Sequence, residues 1–85
     1  MEKKIELKVP KTGYTFTFLG EKAIRKVDGI CSCAQKIRDK TAVIRFSYPV
    51  NLKNEPTPRL YNMRIHYADG TSDEIQVITR PYDQT

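Results

Sequence analysis

Apolar and polar residues alternate along most of this chain, and that period of two constrains the fold more than any other feature. Ile5, Leu7 and Val9 alternate with charged residues, and residues 14–18 alternate aromatic residues with threonines. Successive side chains of a β-strand point to opposite faces, so the pattern indicates strands that bury one face. No segment shows a sustained apolar period of 3.6 residues, and we therefore predict no substantial helix.

Turn residues divide the alternating segments into about seven short strands. A bulge is needed in the third strand if Ile24 and Val27 are to share a face. The polar stretch at residues 35–40 is expected to be a connection. Short strands without helices predict one all-β domain over residues 1–85, an antiparallel Greek-key sandwich. We expect strands at residues 5–9, 14–18, 22–27, 30–34 and 41–48, followed by the two arms of a hairpin around residues 68–70.

The register of the final hairpin can be predicted from its apolar face. A two-residue loop would place apolar residues opposite charged ones, which a sheet with one buried face disfavours. A three-residue loop, Ala68–Gly70, places Met63 opposite Ile75 and puts the glycine in the left-handed position of a type I turn with a bulge. We predict this register, which also brings Arg64 opposite Glu74 on the outer face.

The chain carries a net charge of +5, and its basic residues are concentrated in the first half. Residues 1–45 carry eleven Lys and Arg against five Asp and Glu, whereas residues 46–85 carry four against five. A basic half can attract a nucleic acid, an anionic membrane or an acidic protein, although solvated charges on outward strand faces give the same composition. A nucleic-acid-binding function would use the cations Lys22, Arg25, Lys26, Lys36, Arg38 and Lys40.

Cys31 and Cys33 are the only cysteines and are separated by one serine. On a regular strand their Cα atoms would lie roughly 6.5–7 Å apart, at the upper limit for a disulfide. With His66 the chain has three candidate ligands, too few for a tetrahedral zinc site, whereas copper(I) accepts fewer and softer ligands. Two core residues, a copper(I) site and a redox pair therefore remain open. Burial is what we expect of free cysteine.

No arrangement of side chains typical of an enzyme is visible. The sequence has no glycine-rich phosphate loop, paired carboxylates or nucleophile elbow. His66 is the only histidine, and the predicted register places it on an outer face, where we expect a surface role. Tyr14, Phe16 and Phe18 could stack on bases but are expected to belong to the core. We therefore expect a non-enzymatic protein that uses no cofactor.

The longest irregular segment spans residues 49–59, and long loops often carry function. It is rich in proline and asparagine. Together with an exposed edge strand, it is expected to form the contact surface of a protein-interaction or assembly module. Nucleic-acid binding, and copper(I) or redox chemistry at Cys31 and Cys33, are the alternative functions. The expected partner-binding residues are Asn51, Lys53, Asn54, Pro56, Pro58 and Arg59.

Three segments follow one another in a recognisable order: Tyr-Thr-Phe-Thr-Phe-Leu-Gly at 14–20, Val-Asp-Gly-Ile-Cys-Ser-Cys-Ala at 27–34, and the strand-like residues 41–46. This order resembles the F-x-F, N-x-G, S-C-G-C-T and strand pattern of a large, mostly uncharacterised bacterial family of immunoglobulin-like domains. The resemblance spans about residues 12–80. The wider class includes major sperm protein and pilus-chaperone domains, and compact members occur in phage proteins. The resemblance implies an immunoglobulin-like sandwich and no enzyme reaction.

The sequence also bears on location. No apolar run approaches the roughly 20 residues that a membrane-spanning helix needs. The first eight residues mix charged and apolar side chains, whereas a secretory signal would have an apolar stretch there. Two cysteines are too few for a disulfide scaffold. We therefore expect a cytoplasmic protein that makes no membrane contact.

Overall fold

The computed structural model describes residues 2–83, which form seven β-strands in two sheets. The predicted all-β fold is confirmed, and the two sheets are compatible with a β-sandwich. One 3-10 turn, Ser32–Ala34, precedes the fourth strand. The strands are β1 (Glu2–Val9), β2 (Tyr14–Leu19), β3 (Ile24–Asp28), β4 (Gln35–Arg38), β5 (Thr41–Phe46), β6 (Arg59–Tyr67) and β7 (Ser72–Pro81).

The strand order is β1-β7-β6-β3 in one sheet and β2-β5-β4 in the other. Neighbouring strands are antiparallel except β1 and β7, which run parallel with Glu2 opposite Glu74 and Val9 opposite Pro81. The expectation of a wholly antiparallel fold is therefore wrong for this pair. The turn at residues 10–13 carries the chain into the other sheet, where β2 pairs with β5, so β1 does not pair with the strand that follows it.

The core lies between the two sheets and is built from their inward-facing apolar residues. Ile65 and Val77 are completely buried, and each such side chain contributes about 1.5–3 kcal/mol to stability. Phe16 and Phe18 pack against this core as expected, but Tyr14 is 41% exposed. The other buried apolar residues of the cluster are Val9, Ile24, Val27, Ala42, Ile44, Phe46, Met63, Tyr67 and Ile75.

The final hairpin has the predicted register. Met63 lies opposite Ile75 and Arg64 opposite Glu74, with which it forms an ion pair. The Tyr67 N–H donates to the Thr71 carbonyl, which closes the three-residue loop. Gly70 has a φ of +91°, as the predicted left-handed position requires. A Cβ at this position would have no atom within 4 Å.

The fourth strand is at residues 35–38 and not at residues 30–34 as predicted. Gln35 and Ile37 are half-buried, whereas Lys36 and Arg38 are exposed. The segment therefore alternates, but only Ile37 is apolar, because β4 is a short edge strand whose outward positions are charged. The bulge expected in β3 is present between Ile24 and Lys26.

One end of the molecule, here called the turn end, contains residues 20–23, 39–40 and 68–71. Backbone hydrogen bonds join these three connections: Gly20 N–H to the Lys40 carbonyl at 2.8 Å, and Ala68 N–H to the Ala23 carbonyl at 2.9 Å. Lys22 adds a side-chain link, since its Nζ donates to an oxygen of Asp69 at 3.1 Å. The turns are thus fastened to one another and not only to their own strands.

The side chains of Tyr67, Asp69 and Thr71, in and next to the 68–71 turn, also have close polar partners. The side chain and backbone of Thr71 donate to Asp69, and with Lys22 they lower the pKa of that carboxyl to about 2. Burial, together with a 2.7 Å hydrogen bond from its hydroxyl to Asp73, raises the pKa of Tyr67 to about 12. Lys22 Nζ lies 5.0 Å from the centre of the Tyr67 ring.

Candidate functional site

The 49–58 loop between β5 and β6 is held in one shape by Asn51. Its side-chain oxygen accepts hydrogen bonds from the backbone N–H groups two and four residues further on, both at 2.9 Å. Its side-chain nitrogen donates to the Glu55 carboxylate at 3.0 Å, and its backbone N–H donates to the Glu55 carbonyl at 2.9 Å. A bridge between Val50 and Pro56 closes the base. These hydrogen bonds and the bridge therefore fix the conformation of the loop.

The tip of this loop carries an apolar residue that the sequence analysis missed. Leu52 is fully exposed, and Val50 and Leu60 on either side are 36% and 51% exposed. Leu52 takes no part in the core, so it is available to a partner. In the sequence, Leu52 stands out as an apolar residue within a polar, proline-rich segment, which could have indicated an exposed contact residue. The predicted partner-binding residues are all exposed as well: Asn51, Lys53, Asn54, Pro56, Pro58 and Arg59.

A groove of about 460 Å³ lies where the crossover from β3 to β4 passes the ends of β5 and β6. β3 pairs with residues 64–67 of β6, and β4 pairs with residues 41–44 of β5. On this side of the described chain, residues 59–61 of β6 therefore extend beyond β3, and residues 45–46 of β5 extend beyond β4. We call this feature the disulfide groove; it is lined by Gly29, Ile30, Cys31, Cys33, Ala34, Arg45, Ser47, Arg59, Leu60, Tyr61 and Asn62.

Two arginines give the disulfide groove a positive charge. Neither Arg45 nor Arg59 has a carboxylate within 4.0 Å among the side chains of residues 3–83. The Arg59 guanidinium lies 5.2 Å from the centre of the Tyr61 ring, a cation–π contact. Tyr61 meets Phe46 edge to face, with 5.1 Å between ring centres. The groove thus combines an aromatic wall, anchored in the core, with two cations that lack a counter-ion there.

The crossover that forms one side of the groove is fixed by Gly29 and Gln35. Gly29 has a φ of +92°, and a Cβ at this position would lie 2.1 Å from the Asn62 carbonyl oxygen. Only glycine allows the chain to pass β6 so closely. The Gln35 side chain donates to the carbonyls of Val27 at 3.0 Å and Ile30 at 3.3 Å. These contacts hold the crossover without the cysteines.

Cys31 and Cys33 form a disulfide, and both are exposed. The expectations that they lie on a strand and are buried are wrong, because the Asp-Gly turn leads this segment around the side of the domain. The turn at Ser32–Ala34 brings the two Cα atoms to 5.2 Å, within the disulfide range. The Cys33 N–H donates to the Cys31 sulfur at 3.3 Å. So small a ring stabilises the fold by only roughly 1–2 kcal/mol.

His66 lies apart from the cysteines, on the outer face that the register predicts. Its Nε2 is 2.7 Å from the carboxylate of Asp28. This hydrogen bond, aided by the charge of Lys26, lowers the pKa of Asp28. No group of three or more His, Cys, Asp or Glu residues within residues 2–83 is placed to hold a metal ion.

The six cations predicted for nucleic-acid binding are in two different settings. Lys22 is engaged with Asp69 at the turn end, and Lys26 lies 3.8 Å from Asp28 on the four-stranded sheet. The others have no carboxylate within 4.0 Å among the residues described, and are Arg25, Lys36, Arg38 and Lys40.

Comparison of the chain with protein-family models, curated proteins and solved structures finds no match. Within residues 2–83, no helix has the length and apolar character needed to cross a membrane.

Proposed function

We propose that this domain is a non-enzymatic protein-interaction module that binds an extended, acidic segment of a partner protein in the disulfide groove. One observation carries the proposal: an unpaired strand edge and two arginines without counter-ions among the described residues line the same groove. The 49–58 loop connects Ser47 and Arg59, two residues that line the groove, and it carries an exposed leucine.

The strand edge supplies the backbone part of the interaction. β6 begins at Arg59, whereas β3 pairs only with residues 64–67. A partner segment laid along residues 59–61 would continue the line of β3 and use the main-chain groups of β6, as in strand addition to a sheet edge. Three residues of strand span about 10 Å, so side-chain contacts must provide much of the affinity and the specificity.

The side chains of the groove indicate which segment fits. Arg45 and Arg59 favour carboxylates, and such charge complementarity mainly sets orientation and the rate of association. Tyr61 and Leu52 offer the apolar surface on which binding energy is normally concentrated. An acidic segment that also carries apolar residues on its other face satisfies both requirements.

An immunoglobulin-like Greek-key topology is part of the proposal. The orders β2-β5-β4 and β3-β6-β7 correspond to the B-E-D and C-F-G strands of immunoglobulin domains. Domains of this class bind partners through their loops and edges, which is consistent with the groove and loop described above. The expected cytoplasmic location, and a role in assembly within a bacterial or phage system, belong to the same proposal.

Fluorescence anisotropy with a labelled ten-residue peptide of alternating Glu and Val tests the charge requirement. The matched probes replace Glu by Gln or by Lys. We expect saturable binding of the acidic probe, and a loss of roughly ten-fold in affinity in the R45Q/R59Q variant. The control variant K4Q/K8Q removes the same charge from β1, on the far side of β7. Equal binding of all three probes, or an equal loss in the control, would contradict the proposal.

Leu52 provides a separate test of the loop. Leu52→Ser should weaken the acidic probe several-fold, because an exposed apolar anchor is lost. Leu19 is 74% exposed on β2 and gives a matched control, since it lies next to the turn end. Leu19→Ser should leave binding unchanged. If both variants bind alike, the loop is not part of the site.

A second candidate, nucleic-acid binding, is favoured by Lys36 and Arg38, which share the outer face of the three-stranded sheet with Arg45. Binding through phosphates must weaken steeply as salt rises. A gel-shift titration with single-stranded DNA at several salt concentrations, repeated with K36Q/R38Q, decides between the two. A shift that is unaffected by both salt and this variant rejects the candidate.

A further inference from the structure

We propose that the Cys31–Cys33 disulfide is a thiol oxidant selective for anionic thiols, with Cys33 the sulfur that is attacked and Cys31 the sulfur that leaves. This activity goes beyond the binding function proposed above and does not depend on it. It is stoichiometric, with one substrate disulfide formed per chain.

The disulfide is accessible in a positively charged setting. Both cysteines are exposed and line the disulfide groove together with Arg45 and Arg59. Cys33 and Arg45 also share a second, smaller depression, which Lys36 lines as well. Thiol–disulfide exchange requires a thiolate to reach a sulfur atom, and nearby cations favour both the incoming thiolate and the departing one. A thiol that itself carries negative charge is therefore concentrated at this disulfide.

The hydrogen bonds of the turn distinguish the two sulfurs. The Cys33 N–H donates to Cys31 Sγ at 3.3 Å and is placed to stabilise negative charge on that atom. Exchange is faster when the leaving sulfur is the better-stabilised thiolate. The geometry therefore directs attack to Cys33, which additionally faces the second depression.

The reaction balances between the disulfide and two thiols. A substrate thiolate attacks Cys33 Sγ and forms a new S–S bond, while the Cys31–Cys33 bond breaks and its electron pair stays on Cys31. A second substrate thiolate then attacks the substrate sulfur of this mixed disulfide and expels Cys33 as a thiolate. The two protons released by the substrate thiols protonate Cys31 and Cys33. The substrate is oxidised by two electrons, and the protein is reduced to the dithiol.

Reduction does not require the fold to open. Gly29 keeps the crossover against β6, and the Gln35 side chain holds the carbonyls of Val27 and Ile30. None of these contacts involves a sulfur atom. A solvent-exposed disulfide that contributes little to folding stability is typical of the disulfides that serve redox chemistry in reducing compartments.

Two small thiols of opposite charge test the proposal on the oxidised, full-length chain. Reduced glutathione is anionic at neutral pH, and cysteamine is cationic. After correction for thiolate concentration, glutathione should reduce the disulfide roughly five-fold faster than cysteamine at low salt, and the preference should disappear at 1 M salt. Acid quenching followed by tandem mass spectrometry should locate the glutathione adduct on Cys33.

Matched variants separate the role of the groove from net charge. R45Q/R59Q should abolish the preference for glutathione, whereas K4Q/K8Q should retain it. Thermal melting monitors folding in both variants, whose substitutions are at exposed positions. No reduction of the disulfide, equal rates for the two thiols at low salt, or an adduct on Cys31 would each overturn the proposal.

Discussion

Lys22 and Asp69 at the turn end are paired with each other, whereas the two arginines of the disulfide groove have no carboxylate partner among the described residues. At the turn end, Lys22 reaches Asp69, and the Tyr67 hydroxyl reaches Asp73. In the groove, Arg45 and Arg59 have no carboxylate within 4.0 Å among the residues described. Charges that are satisfied within the chain support its own structure, whereas charges without a counter-ion remain available to another molecule.

The two regions also differ in how the backbone is used. Backbone hydrogen bonds join the three connections of the turn end to one another. In the groove, β6 continues past β3, and the 49–58 loop leads into β6 at Arg59, which lines the groove. We therefore propose that the paired charges of the turn end contribute to stability and that the two arginines of the groove serve recognition, whereas Gly29 fixes the backbone crossover that forms one side of the groove. Substitutions should separate these roles.

The largest effect is expected from Gly29→Ala, compared with Gly70→Ala. Both glycines have φ near +90°, but only a Cβ at position 29 would collide with β6. Gly29→Ala should lower the free energy of unfolding by roughly 3 kcal/mol or more, and Gly70→Ala by roughly 1 kcal/mol. Urea denaturation measures both. Equal losses would mean that the crossover is not fixed where it passes Asn62.

Removal of the disulfide should have a smaller effect. The C31S/C33S variant is expected to lose about 1–2 kcal/mol of unfolding free energy, because the cross-link encloses one residue and restricts the unfolded chain little. Its circular dichroism spectrum should match that of the parent chain. If the variant no longer unfolds cooperatively, the disulfide is required for the fold. The groove would then contribute to stability as the turn end does.

Tyr67→Phe tests the turn end through pH. Loss of the hydrogen bond to Asp73 should cost about 1 kcal/mol at pH 8. The folded-state pKa of Tyr67 is about 12, above the unfolded value of 10, so this contribution is complete below pH 10 and is lost as pH rises toward 12. The difference between parent and variant should therefore shrink over that interval. A difference that stays constant would contradict this.

The smallest effect on stability is expected from Leu52→Ser. Because Leu52 is fully exposed, the free energy of unfolding should change by less than about 0.5 kcal/mol. The same substitution is expected to weaken binding of the acidic probe. A larger destabilisation, measured by thermal or urea unfolding, would place Leu52 among the structural residues and remove it from the recognition surface.

Each element of the fold was predictable from sequence to the extent that its own residues alternate between apolar and polar. The β6–β7 register followed from apolar alternation around Ala68–Gly70, because a shift of one residue would expose the whole apolar face. β4 has the polar composition of a connection, because it is an exposed edge strand in which Ile37 is the only apolar residue. The pairing of β1 with β7 joins segments far apart in sequence, and no local signal specifies it.

The candidate site was predictable only in part. The 49–58 loop was recognised by its composition, but Asn51 could not be identified as its brace from one sequence. The groove joins Arg45, Arg59 and the cysteines, which are distant along the chain and meet only through the crossover. The cysteine pair was expected on a strand, where the rise per residue disfavours a disulfide; the turn at Ser32–Ala34 removes that constraint.

The parallel pairing of β1 has a consequence for the order of folding. Its residues lie opposite partners seventy-two positions later, and β1 has one strand neighbour whereas β6 and β7 have two each. Closing so long a loop is favourable only after the β6–β7 hairpin offers an edge, so β1 should dock late and detach first. Its amide hydrogens should exchange with solvent before those of β6, because this detachment requires less free energy than unfolding of the whole domain.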